Sequence, residues 1–311
     1  MGDADGAATL DALATEGRLP AAADLDRLPT RRQVALLAQQ DATAVAAVAA
    51  AGDQIAAAVD AVAACLRAGG RLLYVGAGTS GRLALLDAAE CGPTFGLPHG
   101  RVVAIVAGGE RAARAAVEAV EDDADAGRCD LGDQGIGPAD AVVGVSASGR
   151  TPYVLAALAL GRERGALTVG VANNAGSPLA RAADLAIEVV TGPEVLAGST
   201  RLKAGTAQKL VLNALSTLSM VQLGHTYGDL MIDVQVTNVK LRRRAERIVA
   251  AATGAGPDRV SAALDAADGA AKVAVVSLLA GVDAAEATRR LTGAGGRVRL
   301  AVGEEERRHD G

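Results

Sequence analysis

Tryptophan is missing from this chain of 311 residues, phenylalanine occurs once and tyrosine three times. Ala, Val and Leu must therefore build the core, and the stacking platforms that hold single-stranded nucleic acid are excluded. Cysteine is scarce as well. Cys65, Cys91 and Cys129 are widely spaced and odd in number, which excludes a disulfide framework and fits a reducing, cytoplasmic compartment. His99, His225 and His309 stand far from one another, so no metal-ligand spacing arises and no metal is expected. Positive charge is in slight deficit: a formal net charge of −5 gives no field to draw a polyanion, while leaving room for a local pocket that takes one phosphate. A basic leader followed by an apolar run is also missing. Asp3, Asp5 and Asp11 stand at the start instead, so no signal peptide is expected. The Ala-rich stretch from Ala42 to Ala64 is interrupted by Asp53, Gln54 and Asp60, which predicts a buried helix and not a membrane span.

Small apolar residues are what the chain has in quantity, and half of its positions are apolar. That suffices for one large core or for two domains of roughly 100–200 residues. Residues up to about Leu13 are small and acidic and are expected to be loose. The polar segment Thr15–Pro20 follows, then a helical pattern from Pro29 to about Gln40. The run from Asp41 to Arg67 reads as one long helix, with Val45, Val48, Ile55, Val59, Val62 and Leu66 near helical spacing, stopped by Gly69-Gly70. Apolar runs at Arg71–Val75, Val102–Ala107, Ala141–Val145, Leu167–Ala172 and Leu185–Val190 then alternate with helical segments near 82–90, 111–122, 152–164 and 178–183. Strands covered on both faces read as unbroken apolar runs. The alternation therefore predicts an α/β fold, a doubly wound parallel five-stranded sheet flanked by helices. An amphipathic helix over Leu202–Leu223, a turn at Tyr227–Met231, a basic helix from about Asn238 to Ala252 and three short helical patterns in 256–300 complete the chain. Asp283 and Glu286 form a capping box for the last of these, and the charged end from Gly303 is expected to be disordered.

The first strand delivers Val75-Gly76-Ala77-Gly78-Thr79-Ser80-Gly81-Arg82 to a helix start. Glycines admit a ligand close to the backbone, and the free N–H groups and dipole of a helix start favour an anion. Residues 76–81 match G-x-G-x-x-G, so a dinucleotide site has to be weighed. Such a site needs an acidic residue at the end of the second strand, where Ala107-Gly108-Gly109 stands before Glu110. The third strand delivers a second loop of the same kind. Its Ser146, Ser148, Gly149, Arg150 and Thr151 would meet Gly78, Thr79 and Ser80 around one phosphate. The plain alternative, that Ser148 and Thr151 are helix caps, is compatible with phosphate binding. A third cluster, Gly192–Lys203, offers Glu194 and Ser199 to sugar hydroxyls, while its Arg201 and Lys203 read equally as a solvated helix face. Cys91 has no His placed to activate it and reads as a packed small residue. A Ser80–His225 hydrolase pair lacks the G-x-S-x-G elbow.

These loops resemble those of SIS domains, the sugar-isomerase fold that binds phosphosugars. Longer stretches are similar, in order, to the N-acetylmuramic acid 6-phosphate etherase family: Gly76–Gly96 (GAGTSGRLALLDAAECGPTFG), Ala107–Gly127 with Glu121-Asp122-Asp123, Ser148–Val154, Gly192–Thr217 and Tyr227–Gln235. The resemblance runs from about Thr15 to about Arg299. It implies an SIS-type sheet with an N-terminal helical arm over 1–55, a phosphosugar-binding domain with its closing helices over 56–252, a small three-helix domain over 253–300 and a tail over 301–311. It also implies a homodimer without cofactor that cleaves the lactyl ether of N-acetylmuramic acid 6-phosphate by elimination and rehydration. The family's two catalytic glutamates fall on Glu90, expected to end the first helix of the sheet domain and to act as acid, and Glu121, expected to end the next helix and to act as base. Gly92, Leu19, Ser146, Val236 and Val239 depart from the family pattern. Two other readings are a phosphosugar-sensing regulator of the glucokinase-regulator type, against which the retention of both glutamates speaks, and an SIS isomerase, which would release no lactate.

Overall fold

A computed structural model describes residues 13–304 except Gln235 and Thr237. The expectations for the chain before Leu13 and for 305–311 lie outside the described residues. Within them, contacts gather the chain into two compact units, one of residues up to 89 with 100–216, the other of 90–99 with the chain from 217 onward.

The first unit is built on five parallel strands: β1 (Leu72–Gly76), β2 (Val102–Val106), β3 (Ala141–Ser146), β4 (Leu167–Ala172) and β5 (Leu185–Glu188), in the order β2-β1-β3-β4-β5. Each expected apolar run is a strand. Leu73, Val75 and Val142 point to one face and pack with α5 (Ala124–Gly132), α6 (Pro152–Glu163) and α7 (Pro178–Ala182). Gly144 and Gly170 are paired in register on that face. A Cβ on Gly144 would lie 2.9 Å from Val154, and one on Gly170 would lie 2.9 Å from the Leu179 carbonyl, so side chains there would push the helices off the sheet.

Tyr74, fully buried on β1, shows what fixes the opposite face. Its hydroxyl donates to Asp87 Oδ2 at 2.8 Å. Asp87 lies on α3 (Gly78–Phe95), and its other oxygen accepts from Asn213 Nδ2 at 2.6 Å and Ser216 Oγ at 3.1 Å, both on α8 (Lys203–Gln222). A buried carboxylate with several donors thus locks α3 to β1 and α8. Burial pushes its pKa above the usual Asp range, against the bonds from Asn213, Tyr74 and Ser216 that pull it down. Because the folded chain then holds the proton more tightly than the unfolded one, the stability this group contributes is fully present below its ordinary value. It is lost as pH rises through the folded pKa. Asp87→Asn should therefore gain on the wild type as pH rises from ~4, read as urea unfolding free energy against pH. Parallel curves would refute this. Asp87→Leu, which strands three donors, should cost on the order of 3 kcal/mol or more at every pH.

Several helices differ from expectation. The boundary expected near Gln40 lies at Ala51: α1 (Thr30–Ala50) takes in the first part of the expected long helix and α2 (Gly52–Arg67) the rest, with a bend of 61° between them. The expected burial of the Ala-rich run holds for α2, which buries Ile55, Val59, Val62 and Leu66, but not for α1, which buries only Leu36 and Ala44. Among the described residues no single helix is long and apolar enough to cross a membrane. The helix expected over 111–122 stops early: α4 spans Gly109–Arg114. Arg82 from α3 donates to the carbonyls of Ala112 and Ala115, and Ala119 takes a positive φ of 62°, so a tertiary contact and a left-handed residue override the periodicity. The chain resumes as α5, which was not expected, capped by Asp123 on the Ala126 N–H.

The second unit is helical. The expected basic helix is α9 (Val239–Thr253), capped by Asn238. The three expected short helices are α10 (Pro257–Ala266), α11 (Ala271–Ala280) and α12 (Ala284–Gly293), followed by one helical turn, α13 (Val298–Ala301). The expected cap at Asp283 is present. Ile248 and Val249 of α9 share one core with Val260, Leu264, Val275, Val276, Leu291 and Val298. A short hairpin of β6 (Thr226–Tyr227) and β7 (Leu230–Met231) precedes α9. Nearby, Asp233 accepts from Lys272 Nζ at 2.6 Å and pairs with His225 Nδ1 at 2.7 Å.

Candidate functional site

β1 and β3 are neighbours at the point where strand order reverses, and Gly76 sits in register with Val145. Open parallel sheets bind ligands at the carboxyl ends of their strands at such a point. The two serine-bearing loops therefore leave the sheet side by side.

The glycines of the first loop serve two purposes. A Cβ on Gly76 would lie 2.8 Å from Gly81 N, and one on Gly81 would lie 2.7 Å from Gly76 O and 2.8 Å from Val106. This pair lets the strand end cross the helix start. Gly78 takes φ +52° and faces open space. Thr79 is half-buried, and its hydroxyl makes no hydrogen bond among the described residues. Ser80, in contrast, is 8% exposed, and its hydroxyl donates to Gln208 Oε1 at 2.9 Å.

The second loop is tied together by Ser146, one of the departures from the family pattern. Its Oγ lies 2.8 Å from Thr151 Oγ1 and 3.3 Å from Ser148 Oγ, and it accepts from the Gly149 N–H at 3.1 Å. Thr151 holds the N-cap position of α6 but makes no side-chain cap bond. Ser148 accepts from the Arg150 N–H at 3.2 Å. Arg150 Nε is buried without a hydrogen-bond partner among the described residues.

In the third cluster the solvated-face reading holds for Arg201 and fails for Lys203. Glu194 is buried, and its two oxygens accept from the Lys203 N–H at 3.2 Å and the Ala204 N–H at 3.0 Å, capping α8. Burial pushes its pKa up against those bonds. Lys203 is not a solvated charge: it is buried, with Nζ donating to Gln40 Oε1 at 2.8 Å, and burial draws its pKa down. Arg201 is exposed and Ser199 half-buried.

Glu90 and Glu121 are both exposed. Glu90 does not end its helix, because α3 continues to Phe95 with Pro93 inside it. Glu121 does not end one either: it lies in the irregular segment between α4 and α5, and its carbonyl accepts from the Tyr153 N–H at 3.1 Å. That bond ties its segment to the first turn of α6, directly after the second loop. Tyr153 is itself buried, its hydroxyl donating to Asp130 Oδ2 at 2.6 Å. Gly127 fits beneath it only because a Cβ there would lie 2.1 Å from the Tyr153 carbonyl oxygen. At Gly92 a Cβ would meet nothing nearer than 3.9 Å, so crowding does not account for that departure.

Sequence reasoning missed the polar hub behind the loops. Asn174 Nδ2 donates to the Ala147 carbonyl at 2.9 Å and to Thr15 Oγ1 at 3.0 Å, so the N-terminal segment is pinned to the second loop. Asn173 donates from its N–H to the Ala147 carbonyl at 3.0 Å and from Nδ2 to the Val189 carbonyl at 3.0 Å, and it accepts from Gln208 Nε2 at 2.9 Å. Two adjacent asparagines at the end of a largely apolar strand were the available signal.

Comparison with known proteins follows this geometry. Residues 54–162 match the glucokinase regulatory protein N-terminal SIS domain, and residues 124–218 match the SIS domain. An N-acetylmuramic acid 6-phosphate etherase of Rubrobacter xylanophilus is 59% identical over 95% of this chain and 97% of its own length. Etherases of the same description from Streptomyces avermitilis and Deinococcus radiodurans are each 53% identical, over 95% and 94% of this chain and 95% and 96% of theirs.

Proposed function

The chain belongs to the N-acetylmuramic acid 6-phosphate etherase family, and from that premise we infer that it cleaves the D-lactyl ether of N-acetylmuramic acid 6-phosphate, giving N-acetylglucosamine 6-phosphate and D-lactate. The observation that carries this reading is the pair of hydroxyl-rich loops on adjacent strands at the reversal of strand order, in a chain similar to these etherases over nearly its whole length.

The phosphate is held between the loops. Gly78, Thr79 and Ser80 bring main-chain N–H groups of a helix start, and Ser146, Ser148, Gly149, Arg150 and Thr151 bring hydroxyl, main-chain and guanidinium donors. Glu194, which caps α8, shapes the sugar side of the site through that helix, and Ser199 contributes beside it. With the sugar ring open, the aldehyde acidifies the proton on C2. Glu121 removes it, the electron pair forms the C2–C3 double bond, and the C3–O bond breaks as Glu90 protonates the departing lactate oxygen. Water then adds at C3 and the proton returns to C2, so atoms and charge balance. One carboxylate and one carboxylic acid suffice for these steps.

The test is D-lactate release from N-acetylmuramic acid 6-phosphate by the full chain. No lactate from a folded protein that binds the substrate would sink the reading and favour a phosphosugar sensor. The family reading extends to a cytoplasmic homodimer, to which α1 can offer the exposed Val34, Leu37 and Val45. A single-chain mass by light scattering would remove the dimer.

A further inference from the structure

Ser80, Gln208 and Asn173 form a buried chain with a direction. Ser80 Oγ donates to Gln208 Oε1, Gln208 Nε2 to Asn173 Oδ1, and Asn173 Nδ2 to the Val189 carbonyl. The three residues are 8%, 1% and 1% exposed. A carbonyl oxygen has no proton to give, so Val189 requires the amide nitrogen of Asn173. That turns the Asn173 oxygen toward Gln208, which must answer with its own nitrogen and leave its oxygen for Ser80. The polarity is set at the far end of the chain and passes along it, and the Ser80 proton is committed to Gln208.

The same chain joins the two loops. Asn173 also donates its N–H to the Ala147 carbonyl, between Ser146 and Ser148. One route of hydrogen bonds therefore runs from the first turn of α3, through α8 and the end of β4, to the second loop.

We propose that Gln208 and Asn173 are positioning residues that hold Ser80 so that it meets the phosphate through its main-chain N–H and not through its hydroxyl, and that set the spacing of the two loops. The proposal rests on the phosphosugar reading of the site. It differs from a plain serine–phosphate contact in one respect: the bond that Ser80→Ala breaks is also broken by Gln208→Met, together with the bond from Gln208 to Asn173.

A double-mutant cycle separates the two. Binding of N-acetylglucosamine 6-phosphate is measured by calorimetry for the wild type, Ser80→Ala, Gln208→Met and the double variant, with KM and kcat for lactate release alongside. Ser80→Ala should weaken binding about tenfold, about what one buried hydrogen bond is worth, Gln208→Met, which breaks two, at least as much, and each should raise KM similarly with kcat changed less than about threefold. The double variant should be no weaker than the weaker single, because interacting pairs are not additive. Gln208→Glu keeps an acceptor for Ser80 and should bind within about threefold of the wild type, while its melting temperature falls because the donor to Asn173 is lost or must come from a protonated carboxyl. A double variant weakened by the product of the two single effects would overturn the proposal, since the Ser80 hydroxyl would then act on the phosphate by itself. Unchanged binding in Gln208→Met would overturn it as well. Calorimetry reads the loops without turnover: a wild type that binds but releases no lactate fails the etherase reading alone, and one that does not bind fails both.

Discussion

Glu90→Gln and Glu121→Gln should each lower D-lactate release by about 10²–10⁴-fold, the usual contribution of one positioned acid or base, while binding of N-acetylglucosamine 6-phosphate stays within a fewfold of the wild type. Both side chains are exposed and lie outside the buried networks, so neither substitution removes a packed group and both variants should fold. Their difference lies in the half-reaction each retains. In deuterated water, a chain that still has its base can exchange the C2 proton even when the leaving oxygen goes unprotonated. Glu90→Gln should therefore place deuterium at C2 of recovered substrate faster than it releases lactate, and Glu121→Gln should do neither. Exchange retained in Glu121→Gln and lost in Glu90→Gln would reverse the two roles. Lactate release at the wild-type rate in either variant would remove that residue from the chemistry.

Gly149→Ala is expected to have the largest effect on stability within the loops. Gly149 takes φ +65°, a conformation that costs an L side chain about 1–2 kcal/mol. Its Cβ would also lie 2.4 Å from Ser177 Cβ and 2.5 Å from Ser177 Oγ. Ser177 has little freedom to yield: its Oγ caps α7 by accepting the Ala180 N–H, and its own N–H donates to Glu188 Oε1. The Gly149 carbonyl is held by the Leu179 N–H at 3.0 Å. Strain and overpacking together should cost about 3–5 kcal/mol, a large share of the roughly 5–15 kcal/mol that a folded domain has. The urea midpoint should fall accordingly, and the folded fraction should bind phosphosugar more weakly because the loop has moved. A loss below about 1 kcal/mol would show that the loop absorbs a side chain freely.

The five strands were legible because they read as largely apolar runs, fully buried on β1 and β3, and their ends fell within two residues of those expected. The paired loops were legible because hydroxyls and glycines follow two of those runs at once. What escaped has its causes far along the chain. The break at Ala51 sits in a row of alanines that fits one long helix as well as two. The end of α4 depends on Arg82, some thirty positions earlier. The hub of Thr15, Asn173, Asn174 and Gln208 joins residues 159 and 35 positions apart, and no local pattern records such a bond. Glu194 shows the converse: its residue type suggested a sugar contact, and its role as the cap of α8 was not legible locally.

The glycines of the first loop carry a lesson about motifs as a written code. Three identical letters in G-x-G-x-x-G convey two unrelated messages here. Gly76 and Gly81 spell out only that a strand and a helix cross with their backbones touching, a requirement common to any ligand bound beyond such a turn. Gly78, turned toward open space, is the letter that the proposed function addresses to the ligand. The signature is therefore ambiguous by construction between a sugar phosphate and a dinucleotide. Under the proposed function the characters that resolve it include Thr79 and Ser80, the latter held by Gln208, 128 positions further on, where a short pattern does not reach.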